Sequence, residues 1–134
     1  MLRGNLLLCA ALSGLGAPLA MAHHSLSGQF DTSKSFQVTG VVSRVDWVNP
    51  HTQVYVDVKQ ANGSTITWKL ESLPVAMMRK AGLSKSDLVG DGRPVVIDAH
   101  PARGQANHLG YLLHIKLPDG RDIQFSRVPG SEQP

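Results

Sequence analysis

The sequence predicts a mainly β fold, and three features carry that prediction. Apolar and polar residues alternate through "SFQVTGVVSRVDWV", "TQVYVDVK" and "STITWKL", which is the period of a strand with one buried face. The Asn62-Gly63 dipeptide joins the second and third stretches as a hairpin signal, with positive φ available to both residues. A block of helical spacing then separates this group from three later strand-like stretches, "PVVIDAH", "HLGYLLHIKL" and "RDIQFSRV".

The first stretch places Phe36, Val38 and Val42 on one parity and Val41, Val45 and Trp47 on the other. A bulge near Gly40 in a long, bent strand produces such a switch. Asn49-Pro50-His51 ends the strand, because Pro50 has no N–H to donate to a ladder. The second strand directs Val54, Val56 and Val58 inward and Gln53, Asp57 and Lys59 outward. The third repeats the pattern with Ile66, Trp68 and Leu70, completing an antiparallel meander.

Pro74 suits a first helical position, Val75, Met78 and Ala81 share a face, and Gly82 suits a C-terminal cap. Ser84 and Asp87 have capping-box spacing for a second short turn. Met78 reads as a core filler and Met77 as its margin, while Arg79, Lys80 and Lys85 read as a solvated face. "PARGQAN" is a loop, and Pro118-Asp119-Gly120 turns the chain into its last strand. Three strands, a short helix and two or three more strands predict a small OB-like Greek-key β-barrel, with the helix between strands three and four.

The opening residues are set apart from that domain. Arg3 is followed by an apolar run over residues 6–20, and Ala20-Met21-Ala22 fits a small-x-small cleavage site. This is the pattern of a secretory signal peptide. The run is shorter than the ~20 residues that span a bilayer, and Gly14, Gly16 and Pro18 interrupt it. The expected organisation is a signal peptide at 1–22, an N-terminal arm at 23–34, the barrel at 35–128 and a loose tail at 129–134. Cleavage after Ala22 would deliver a soluble periplasmic protein with no stable membrane insertion. It would also remove Cys9, the single cysteine, so disulfides play no part. A formal charge of +3 on the whole chain is small and dispersed, and argues against a nucleic-acid partner.

The chain has no glycine-rich phosphate loop, cysteine pair, nucleophile elbow or His-Glu-x-x-His helix. No catalytic residue is expected, and the six histidines carry the remaining chemistry. Cleavage after Ala22 makes His23 the N-terminus, where an α-amine and an imidazole chelate one metal ion, and His24 adds a second ring. Nitrogen-rich sites of this kind favour copper(II). His51 is the third candidate ligand. His100 and His108 follow, because their loop and that of His51 flank the usual binding face of such a barrel. Trp47 and Asn49 are candidate ligand-binding residues in the same loop as His51. Each also has an ordinary use, Trp47 in the core and Asn49-Pro50 in a turn. His114 falls on the outer face of a strand and stays outside the set.

These residues predict a binding or accessory module whose partner is a metal ion, copper favoured, a small ligand or another periplasmic protein. Two alternatives remain open. One is a metal-free barrel that binds a small ligand or a protein. The other is a copper-dependent oxygenase with an N-terminal histidine chelate, although aromatic residues are only 5% of the chain and offer little for a flat substrate surface.

"HHS" after the leader, "TGVVSRVDWVNPH", Gly90-Asp91 before the fourth strand and the "LPDGR" hairpin together resemble a family of small exported proteobacterial proteins, catalogued as a domain of unknown function. The resemblance implies export and a β-barrel-like domain, and no reaction. Its motif includes His23, His24 and His51.

Overall fold

The computed structural model describes residues 25–104 and 106–125. The alternating stretches become strands β1 (Phe36–Asp46), β2 (Gln53–Lys59) and β3 (Thr65–Glu71). Two short helices follow, α2 (Val75–Lys80) and α3 (Lys85–Val89), then β4 (Val95–Pro101), β5 (Leu109–Lys116) and β6 (Asp122–Gln124). One helical turn, α1 (Leu26–Gln29), precedes β1.

Strand β1 is the pivot of the barrel. Its first half pairs with β4, from Phe36↔Ala99 to Gly40↔Val95, and its second half with β2, from Val41↔Asp57 to Asp46↔Gln53. Strands β2 and β3 form the expected hairpin, and β4 and β5 pair antiparallel. A short parallel pairing of β3 with β5, Lys69↔Leu109 to Glu71↔Tyr111, closes the ring. The result is a closed five-stranded OB-like barrel in the order β1-β2-β3-β5-β4, and β6 extends the sheet beyond β5.

The parity switch in β1 is real but lies at Ser43, between Val42 and Arg44, rather than near Gly40. Val38, Gly40 and Val42 are buried on one parity, and Val45 is buried after the shift. Gly40 instead marks the handover from β4 to β2. A Cβ there would collide with the Asp57 carbonyl oxygen. In the β2–β3 turn Gly63 alone of the Asn-Gly pair takes positive φ, at 85°, and Asn62 accepts hydrogen bonds from Ser64.

Two helices stand where one was expected. Gly82, at φ 83°, ends the first segment, and Ser84 restarts the helix through a reciprocal capping box with Asp87. Val54, Val56, Leu70, Ile97, Leu112 and Ile115 fill the barrel with essentially no exposure. Each such side chain contributes roughly 1.5–3 kcal/mol relative to solvent exposure. Met78 is fully buried in the same cluster, and the Ser72 hydroxyl contacts its sulfur at 3.3 Å. Trp68 stacks on Phe36 with ring centroids 4.4 Å apart, both half-buried against the core.

Candidate functional site

The loop between β1 and β2 is tied down along its length. The Thr52 N–H donates to Leu73 O at 3.1 Å, and the Ser72 N–H donates to Thr52 O at 2.8 Å. Asn49 Oδ1 accepts from the Val75 N–H at 3.1 Å. That bond supplies the start of α2, whose N-cap position holds Pro74 with no side-chain acceptor. The Asn49-Pro50 peptide is cis. Asn49 thus has a structural task in this loop. Trp47 lies half-buried against the core and forms one wall of an open groove.

This anchoring places His51 against the end of β3. Its Nδ1 meets the Glu71 carboxylate, with the His51 side chain 45% exposed and Glu71 16% exposed. In general, a carboxylate that accepts from Nδ1 fixes the tautomer in which Nε2 is the unprotonated nitrogen. Carboxylates stand behind the ring of many metal-binding histidines in this way.

Glu71 pairs with Gln53 on one side and Tyr111 on the other, and Tyr111 pairs with His100. One row on the outer face of the barrel therefore runs Gln53, Glu71, Tyr111, His100. Tyr111 is covered by Phe30, with ring centroids 5.5 Å apart and both side chains buried. Burial, then the Glu71 charge, pushes the Tyr111 phenol up to about 12. Gln53 Oε1 and Thr52 Oγ1 are buried without hydrogen-bond partners among the described residues.

Phe30 belongs to the arm, and the arm is fastened to the barrel. It bridges Ala102, the Asp31 N–H donates to Pro101 O at 2.8 Å, and the Arg103 N–H donates to Gln29 O at 2.8 Å. Arg103 Nε adds a bond to Ser27 O at 2.7 Å. In the sequence, Leu26 and Phe30 are the apolar residues of the arm that could tie it down. The backbone bonds to residues 101–103 were not visible because they depend on where the fourth strand ends. His23 and His24 lie outside the described residues.

The other histidines occupy separate surroundings. His100 stands within β4 rather than in the following loop, and its Nδ1 is 2.6 Å from Lys34 O. His108 closes that loop at φ 57° and meets the edge of Trp68 at 5.2 Å between centroids. The structure does not bring His51, His100 and His108 into one cluster. Among the described residues no group of three His, Cys, Asp or Glu side chains is placed to hold a metal ion.

His114 has the most complete set of partners. Its Nδ1 is 2.8 Å from Asp98, its Nε2 meets Asp122, and Gln37 Nε2 donates to Asp98 at 3.0 Å. With both ring nitrogens engaged, His114 has no lone pair to offer a ligand. The Asp122 carboxylate, then that of Asp98, raises its pKa above 6.5 against the opposing effect of burial.

The fold and this loop define a small OB-like barrel that carries a carboxylate-supported histidine on its outer face. The chain belongs to a family of unknown function, DUF6152, whose model matches residues 11–110. That span includes His23, His24 and the Trp47 to His51 loop. No curated protein matches the sequence. Among solved structures, the chain is similar to a mitochondrial single-stranded DNA-binding protein from S. cerevisiae, Rim1, with 11% identity and a TM-score of 0.47 over 63% of this chain and 93% of that one.

Proposed function

We propose that this chain is an exported binding protein that holds one metal ion, copper(II) favoured, through His23, His24 and His51. Export rests on the leader pattern at residues 1–22 and places the working protein in the periplasm. Cleavage after Ala22 frees the α-amine of His23, which chelates together with its own imidazole.

The observation that carries the reading is the Glu71 carboxylate beside Nδ1 of the half-exposed His51 ring. The fastened arm supports it. Phe30 sits on Tyr111, the cross-strand neighbour of Glu71, and neighbouring strands lie ~4.8 Å apart. Five residues separate His24 from Phe30, and four of them form α1, which rises only about 6 Å. The unpartnered Gln53 Oε1, in register with Glu71, offers an acceptor to an incoming N–H. The His23 amine and the three imidazoles give copper(II) four nitrogen ligands, and a tetragonal site keeps an axial position for water or for a ligand from a partner protein. His100 and His108 keep structural roles, and no nucleic acid is assigned.

Calorimetry on protein that begins at His23 tests the proposal. About one copper(II) binds per chain, and one alanine placed before His23 abolishes tight binding by removing the chelate. Unchanged affinity after that addition overturns the proposal.

A further inference from the structure

Trp47, Arg79, Ser84, Lys85, Ser86 and Val89 line an open groove of about 600 Å³ between the end of β1 and the two helices. Its walls are apolar at Trp47 and Val89, and its other lining residues are hydroxyl-bearing or cationic. Val89 (38% exposed) and Val48 (51% exposed), the chain neighbour of Trp47, are the exposed large hydrophobic side chains of the described residues. Isolated surface valines are ordinary, but Val89 lines the groove with Trp47. Lys85 and Val89 are one helical turn apart on α3, so they present a cation and an apolar contact side by side.

The charged residues that line the groove have one sign. Arg79, Lys80 and Lys85 are exposed and make no salt bridge among the described residues. The nearby acid, Asp87, is taken up by the Ser84 cap and by Arg121. An apolar floor with a positive rim complements a segment in which acidic residues flank an apolar anchor. Single-stranded nucleic acid needs successive aromatic platforms and a charged track for its backbone. Here one tryptophan stands among aliphatic neighbours.

We propose that this groove is the docking surface for an acidic, apolar-anchored segment of a partner protein. The inference does not rest on metal binding. It gives the solvated cations of α2 and α3 a task, and it makes Trp47 a binding residue through its groove wall.

A peptide titration followed by heteronuclear NMR tests it. The probe is a capped nonapeptide in which glutamates flank two leucines and a central phenylalanine, and a second peptide replaces each glutamate with lysine. The acidic peptide shifts the Trp47 indole N–H and the amides of Arg79, Lys85 and Val89, while the lysine peptide does not. The double variant Arg79→Glu, Lys85→Glu weakens binding about tenfold, and Val89→Asp weakens it by a similar factor. Both variants lie on the surface and retain the wild-type melting temperature. Equal binding of the lysine peptide, shifts confined to other surfaces, or no shifts at millimolar peptide overturn the proposal. An oligothymidylate that binds the same residues more tightly than the acidic peptide also overturns it, in favour of nucleic acid.

Discussion

His51 and Glu71 are partners across the outer face of the barrel, one from a loop and one from the last position of β3. The loop is held by Thr52 and Asn49, and Glu71 is held by the β3 ladders to β2 and β5, so the pair is built on fixed backbone. Glu71→Gln keeps the shape and removes the charge that supports the ring. Copper affinity is expected to fall about tenfold to a hundredfold, with little change in melting temperature. Titration of the variant against wild type measures this, and equal affinities would remove Glu71 from the site.

Phe30 fastens the arm. Phe30→Ala empties a buried site against Tyr111 and is expected to cost about 3 kcal/mol or more. Amide exchange at Asp31 and Arg103 should accelerate together, because these two N–H groups donate across the contact between the arm and residues 101–103. Exchange confined to the arm would show that residues 101–103 hold their positions without it.

His114 gives stability a pH dependence of known sign. Its folded pKa lies above the ordinary 6.5, chiefly because of Asp122. A raised value means that the stabilisation is complete below 6.5 and is lost as pH rises through the folded pKa. Melting temperature should therefore decline above pH 6.5, and His114→Gln should flatten that decline. An unaltered profile would mean that the imidazolium contributes nothing to the attachment of β6.

Ser84 caps α3, and its hydroxyl is also the largest influence on Asp87, followed by Arg121. Together they hold the Asp87 carboxyl at about 2. Its contribution is present above the usual 3.8 and is lost as pH falls toward that lower value. Ser84→Ala is expected to cost about 1 kcal/mol at neutral pH. Acid unfolding should then begin at a higher pH, since Asp87 titrates nearer its ordinary range. Denaturant melts at several pH values read both effects.

Local chemistry made much of the fold legible. Alternation marked the strands, the Ser84 and Asp87 spacing marked the capping box, and two glycine turns marked the hairpins. Alternation reports a change of parity without its position; the bulge lies at Ser43, and Gly40 is required for a different physical reason, the close approach of Asp57. Glu71 was overlooked because a single acid at a strand end carries no motif. It becomes a partner of His51 only through the register of three strands. The partners of His114 had a usable signal. The Pro118-Asp119-Gly120 turn sets Lys116 opposite Asp122 and so brings Asp122 diagonally onto His114. Asp98 needed the bulge between β4 and β5, which no local pattern announces.

The central claim is that the processed N-terminus and His51 share one copper ion. Electron paramagnetic resonance with pulsed nitrogen detection on copper-loaded protein beginning at His23 tests it most directly. The account predicts coupling to three imidazoles, from His23, His24 and His51, and the loss of one in His51→Ala. An identical spectrum from wild type and His51→Ala would contradict it.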